Sequence, residues 1–160
     1  MSNPQLASLE EALAQVLSLA KAPNRVETVP LAETLGRVLA EDQSVPCDVP
    51  PADNSAVDGY AVRQADVRDG QAIPVSARYP AGEATRPLAP GTAARIFTGS
   101  EIPAGADSVV MQERVEVTEA GIVVHADVTE GQNIRRRGQD LAVGERALAK
   151  GTHIRPQEMG

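Results

Sequence analysis

Glycine and proline set the strongest limit on what this chain can fold into. Thirteen glycines and 12 prolines fall among its 160 residues. Beyond about residue 45 they cut the apolar runs short. Short apolar runs between such breaks build β-strands joined by turns. The expectation is an α+β chain, mostly β, whose centre is a compact barrel-like or sandwich domain.

The N-terminal segment departs from this pattern. Ser8-Leu9-Glu10-Glu11 has the form of a capping box, with Ser8 as N-cap and Glu11 reaching back. Leu9, Leu13, Val16, Leu17 and Ala20 then recur on one helical face. Lys21 is placed in the last turn, where a cation suits the helix dipole, and Pro23 stops the helix. The role of such a helix is packing, within the chain or across a dimer.

Further along, Arg25–Pro30 reads as a short strand and Leu31–Gly36 as a helical turn closed by glycine. Arg37–Val45 reads as a strand, although Val38-Leu39-Ala40 also suits a helix. Pro46-Cys47-Asp48-Val49-Pro50-Pro51 excludes helix, because proline removes donors and restricts its predecessor. It is expected to be an extended linker at a domain boundary. Ile73–Ala77 is expected as a strand, with Pro74 marking an edge, and Thr92–Phe97 as another. Ser108–Gln112 and Val115–Thr118 are expected to pair, with Ile122–His125 following a turn at Ala120-Gly121. Pro156 has the look of the first position of a helix. A single turn does not stand alone, so the chain is expected to be the N-terminal piece of something longer.

Aromatic residues make up only 2% of the chain against 42% hydrophobic overall, so Ala, Val, Leu and Ile must build the core. The net charge of −7 argues against general nucleic-acid affinity, which rests on neutralising phosphates. The single cysteine, Cys47, excludes an internal disulfide and a cysteine-based zinc site. With no basic-then-apolar leader and no membrane-length apolar run, the expectation is a cytoplasmic protein with neither membrane nor nucleic acid as partner.

Two stretches carry unusual chemistry. Asp53-Asn54-Ser55-Ala56-Val57-Asp58-Gly59-Tyr60-Ala61-Val62 places a polar loop at the mouth of an apolar strand. Asn, Asp and Ser order such loops through local hydrogen bonds. Asp53 fits loop order, and Asp58 fits a charge offered to a ligand, metal or proton. Asn133-Ile134-Arg135-Arg136-Arg137-Gly138-Gln139-Asp140 concentrates cations in an acidic chain. Its guanidinium forks suit phosphate or carboxylate, or they pair with local acids, at least one of them with Asp140 or another carboxylate. Thr98-Gly99-Ser100 offers hydroxyls and amides after a strand, either as a modest anion site or simply as a turn. His125 and His153 stand alone and read as surface or packing residues. Cys47 lacks a basic neighbour to make it reactive.

These stretches together resemble the molybdopterin molybdenumtransferase family, which includes the C-terminal domain of gephyrin. The resemblance runs through residues 53–62, Arg95-Ile96-Phe97-Thr98-Gly99, Gly105-Ala106-Asp107-Ser108-Val109-Val110-Met111-Gln112-Glu113, and residues 133–140, in order. Val57 stands where the family usually has Met. The resemblance implies an enzyme that inserts molybdate into adenylylated molybdopterin, releases AMP and uses Mg²⁺. It implies an elongated α/β dimerisation region made of residues 1–45 and 141–160, with a β-rich domain over 46–140 inserted in it. The active cleft would form across a homodimer, with Asp58 and Thr98 on its β-rich wall as catalytic candidates. Ser55, Arg135, Arg136, Arg137 and Asp140 are weaker, substrate-binding candidates, and no metal ligand is assigned. A pterin-binding domain and a C-terminal β-barrel would follow residue 160, so the piece alone is expected to be inactive. Molybdopterin adenylyltransferase is a possible partner. The alternative is a non-catalytic assembly module of the gephyrin type.

Overall fold

The computed structural model describes residues 7–21 and 25–160. Two compact units are present: one combines the described residues up to Glu41 with Ala149–Gly160, and the other is Asp42–Leu148.

In the first unit, helix α1 spans Leu9–Leu19 and carries the full capping box. Ser8 N–H donates to Glu11 Oε2 at 2.8 Å, and Glu11 N–H donates to Ser8 Oγ at 3.2 Å. These bonds satisfy two of the amide donors that a helix start leaves open. No residue of α1 is buried, and Leu13, Val16 and Leu17 are 55%, 64% and 62% exposed. The helix ends at Leu19, so Lys21 falls beyond its last turn. Pro23, the expected stop, lies outside the described residues.

The strand expected over Arg25–Pro30 does not form; the segment is irregular and leads into a 3₁₀ turn at Leu31–Glu33. Val26 is 69% exposed, and Glu27 is held by the Arg25 and Arg37 side chains rather than by a ladder partner. Gly36 closes the turn with a φ of 78°. The strand expected over Arg37–Val45 shrinks to a bridge between Val38 and His153 and a two-residue strand at Gln43–Ser44. Around Val38, Leu39 N–H donates to Thr152 O and Gly151 N–H donates to Leu39 O.

The second unit is built from strands β1 (Gln43–Ser44), β2 (Asn54–Ser55), β3 (Gly59–Val62), β4 (Ala72–Ile73), β5 (Val75–Tyr79), β6 (Ala93–Ile96), β7 (Ser108–Met111), β8 (Val115–Thr118), β9 (Gly121–Val124), β10 (Ile134–Arg135) and β11 (Arg146–Leu148). Helix α2 (Pro156–Met159), with Pro156 in its first turn, belongs to the first unit. The mostly β expectation holds. The barrel does not: the strands form open sheets in the orders β5-β6-β3-β7, β4-β9-β8, β10-β2 and β1-β11.

Pro74 is one cause of the openness. It has no N–H to give a ladder, and it splits the expected Ile73–Ala77 strand. Ile73 pairs with Ile122 in one sheet, while Val75 begins a parallel pairing with β6 in another. Pro74 thus stands where two sheet edges meet, the position its chemistry allows.

The expected pairing of Ser108–Gln112 with Val115–Thr118 is also not formed. β7 pairs with β3, and β8 pairs with β9. A 3₁₀ turn at Gln112–Arg114 separates β7 from β8, and Gly121 makes the tight return to β9. Gly121 has a φ of 131°, and a Cβ there would lie 2.0 Å from Ile73 O. Only glycine allows both that backbone and that approach.

The four-stranded sheet is buried on both faces, following the two-residue alternation of strands. Val62, Ala93 and Val110 face Ile73, Ile122, Val124 and Val128. Ala61, Ala94, Ile96 and Val109 pack with Leu88 on the other side. The buried residues of this core are aliphatic, as the shortage of aromatics requires, with Tyr60 and Tyr79 packing at its margins.

Candidate functional site: a carboxylate and a hydroxyl at the sheet edge

Asp58 immediately precedes β3, and Thr98 follows β6 by two residues. Because β3 and β6 are antiparallel, with Gly59 opposite Ile96, the two residues meet. Asp58 Oδ1 accepts hydrogen bonds from Thr98 N–H and Thr98 Oγ1–H, both at 2.8 Å. The Thr98 amide and then its hydroxyl hold the Asp58 carboxyl below its usual range; desolvation opposes them, and the charge of Arg95 adds a smaller lowering. Asp58 is therefore ionised at neutral pH. It is a weak base and a strong acceptor.

The backbone around Asp58 is fixed as tightly as its side chain. Gln112 N–H donates to Asp58 O at 3.0 Å. Arg95 Nη1–H donates to Gly59 O at 2.9 Å, and its Nη2–H donates to Gln112 Oε1 at 2.5 Å. A Cβ on Gly59 would lie 2.0 Å from Val110 O, so glycine alone lets β3 lie this close to β7.

Ser55 acts on the Thr98 turn through its backbone. Its N–H donates to Ser100 O at 2.9 Å, and its carbonyl accepts from Gly99 N–H at 2.8 Å. Its side chain is buried, with Oγ donating to Val57 O at 2.6 Å. A cleft of about 370 Å³ opens beside Gly99, lined also by Asn54, Gly82, Glu83 and Glu101.

The arginine triplet joins the same loop, because β2 pairs with β10. Every one of its guanidiniums meets an acid. Arg135 pairs with Asp140. Arg136 Nη1 lies 2.6 Å from Asp53 Oδ2, and Arg137 Nε lies 2.5 Å from Asp48 Oδ2. Arg137 N–H also donates to Asp53 Oδ1 at 2.8 Å, and Val143 N–H to Asp48 Oδ1 at 2.8 Å. The Arg137 amide and the Arg136 guanidinium lower the Asp53 pKa; the Val143 amide and the Arg137 side chain lower that of Asp48. Asp53 thus orders the loop, as its position suggested.

His125 is not isolated. Its Nε2 lies 3.2 Å from Glu116 Oε2 and its Nδ1 lies 3.8 Å from Asp69 Oδ1. Among the described residues no group of three or more His, Cys, Asp and Glu could hold a metal ion. No helix of the described residues is long and apolar enough to cross a membrane.

Sequence reasoning gave no role to Arg95, Phe97, Gln112 or Arg78. Arg95, Phe97 and Gln112 stand inside the motifs, but only the register of β3 with β6 and β7 shows what they touch. Arg78 carries no local signal at all.

This open-sheet fold is that of the MoeA N-terminal region. It superposes on a crystal structure of the molybdopterin biosynthesis moeA protein from Pyrococcus horikoshii OT3 with a TM-score of 0.88 at 41% identity, covering 97% of this chain and 42% of that one. The family model of the MoeA N-terminal region (domain I and II) matches residues 7–160, and the chain belongs to that family. Proteins named molybdopterin molybdenumtransferase are similar to it. The one from Synechococcus elongatus is 42% identical over 160 residues, covering 96% of this chain and 39% of its own length. That of Haemophilus influenzae is 37% identical over 151 residues, covering 93% and 37%. The chain thus spans roughly two fifths of the length of these relatives.

Proposed function

We propose that the chain is the N-terminal part of a molybdopterin molybdenumtransferase, inserting molybdate into adenylylated molybdopterin with release of AMP. The observation that supports this reading most is the Asp58–Thr98 pair, formed by two separate sequence motifs that the register of β3 and β6 joins.

Thr98 spends its single hydroxyl proton on Asp58, so towards a substrate it presents lone pairs. Asp58 keeps Oδ2 for a donor or a transferred proton. The pair therefore binds and orients a donor-bearing group, and Asp58 holds negative charge where proton movement accompanies cleavage of the phosphoanhydride. Ser55 sets the position of the Thr98 turn. Arg135, Arg136, Arg137 and Asp140 act by holding the loop, since each guanidinium already meets a carboxylate. No residue of this chain is assigned to Mg²⁺.

The exposed leucine and valine face of α1 is the dimerisation surface, with a second copy as its occupant, and the first unit is part of an elongated domain in which Asp42–Leu148 is inserted. Molybdopterin adenylyltransferase is the partner that supplies the substrate. The protein acts in the cytoplasm, in keeping with its one free cysteine.

The test is molybdate insertion by the full-length protein. Asp58→Asn preserves an oxygen for both Thr98 bonds, removes the charge and turns the remaining acceptor oxygen into an amide donor. It should lower turnover at least tenfold without changing the circular dichroism; a wild-type rate would sink the assignment. The 160 residues alone should give no cofactor.

A further inference from the structure

We propose that Arg78, stacked on Phe97 beside Arg95, binds the phosphate or diphosphate group of a small-molecule ester next to the Asp58–Thr98 pair. The argument begins with register. Arg78 in β5 is the direct partner of Arg95 in β6, and Arg95 is the direct partner of Tyr60 in β3. Register partners share a face of the sheet, so two cations and an aromatic ring stand in one row. Phe97, two residues beyond Arg95, lies on the same face. The Arg78 and Arg95 guanidinium carbons each lie 4.6 Å from its ring centroid, and that of Arg95 lies 5.2 Å from Tyr60.

Like charges placed opposite one another in a sheet are unfavourable. The chain has 22 acidic residues against 15 basic ones, so a neutralising carboxylate would be easy to supply, as it is for Arg135, Arg136 and Arg137. Here none is within ion-pair distance of either arginine among the described residues, and Asp58 interacts with Arg95 only through its longer-range charge. Arg95 spends its donors on the neutral oxygens of Gly59, Ile96 and Gln112. Arg78 is exposed and stacks on the Phe97 ring. Its planar fork of donors is left facing outward, pre-oriented by stacking, which is the arrangement that suits bidentate contact with phosphate. Asp58 lies two residues before Tyr60 and so on the same face as the row, and the charge of Arg95 acts on it, so a phosphate held by Arg78 lies beside the candidate chemistry. The identity of the ester as adenylylated molybdopterin rests on the proposed function; the anion chemistry rests on the row itself.

The probe is inorganic pyrophosphate, titrated at constant ionic strength into the full-length protein labelled with ¹⁵N-arginine. The readouts are the Arg78 Nε–Hε resonance, assigned by its absence in Arg78→Gln, and the Phe97 ring signals. Saturable movement of both is expected, with chloride at equal ionic strength moving neither. Phe97→Leu leaves both charges without the stacking surface and should weaken the response of Arg78 several-fold. Arg146→Gln, on β11 in another sheet, removes an equal charge and should leave it unchanged. A stationary Arg78 resonance overturns the proposal, and so does an equal response in Arg146→Gln and Phe97→Leu relative to wild type in which only ionic strength matters. Pyrophosphate binding needs no molybdenum chemistry. A saturable Arg78 response in a protein that fails the molybdate-insertion assay would keep this site and discard the proposed function.

Discussion

Replacing Gly59 with alanine places one methyl group against the backbone of the neighbouring strand. The new Cβ would stand 2.0 Å from Val110 O, 2.9 Å from Val110 C and 3.2 Å from Met111 Cα. A real Cβ essentially never comes within 3.0 Å of another heavy atom, so β3 and β7 must separate by about an ångström. The obstacle is backbone in a central ladder and cannot rotate away. Overpacking of a filled core costs about 1–3 kcal/mol, and each displaced ladder bond adds about 1 kcal/mol. A total of about 3–5 kcal/mol follows, a large share of the ~5–15 kcal/mol that holds a domain together. For a unit of roughly a hundred residues this is a fall in midpoint of about 12–40 °C. Whole-protein melting would blend this unit with others, so the assay is peptide-resolved hydrogen exchange with thermal scans. Gly59→Ala should speed exchange in the peptides of β3, β6 and β7, where Gly59 pairs with both Ile96 and Met111. It should leave α1 unaltered. Unchanged exchange in β3 and β7, with a midpoint within about 1 °C of wild type, would refute the steric reasoning.

Thr98→Val keeps the shape and the amide bond to Asp58 but loses the hydroxyl, while Thr98→Ser keeps both donors; turnover should fall at least tenfold in the first and stay within about threefold in the second, consistent with the loss of one oriented hydrogen bond, and equal rates would exclude a role for the hydroxyl. The lowered pKa values of Asp48 and Asp53 mean that their stabilisation is fully present above the ordinary carboxylate pKa and is lost as pH falls through the lower folded values; urea midpoints measured from pH 6 downward should drop, and Asp48→Asn with Asp53→Asn should flatten that drop. Leu13→Glu combined with Val16→Glu on α1 removes two side chains worth about 1.5–3 kcal/mol each when buried, so sedimentation should show the dimer dissociation constant raised at least about a hundredfold; unchanged sedimentation would place the dimer surface elsewhere.

Much of this was readable from residue types, and the rest failed for identifiable physical reasons. Capping at Ser8 and Glu11 is local chemistry, and it is found as expected. The loop at Asp53–Asp58 and the cation run at Arg135–Arg137 announce themselves by composition. Pairing is different, because it is decided by partners distant in sequence. Ser108–Met111 and Val115–Thr118 are near neighbours in the chain, yet β7 chooses β3, where Val109 and Val110 can each reach a different face of the core. Arg25–Pro30 has strand-like residues but no strand beside it to pair with, and it stays irregular. Openness could not be read either, since whether a sheet closes depends on strand tilt and register rather than on the number of short strands.

The same dependence on distant partners explains why the candidate site is legible as two halves and not as a whole. Asp58 is held in an unusual state by Thr98, 40 residues away, and by Arg95, which reaches the loop only because β6 lies beside β3. Each half alone is an ordinary polar turn. Their union is fixed by Gly59, whose missing side chain lets β3 approach β7, and by Gln112, which takes the Asp58 carbonyl from one side and the Arg95 guanidinium from the other. The carboxylate is therefore pre-organised by a sheet, not by its loop. Substitutions that loosen β3, β6 or β7 should reduce turnover even where they touch no substrate, whereas breaking Arg136–Asp53 should first cost loop order. Kinetics of Asp53→Asn separate the two cases: a raised KM at nearly unchanged kcat marks a loop effect, and a fall in kcat matching that of Asp58→Asn would mean the loop, rather than the sheet, sets the geometry of Asp58.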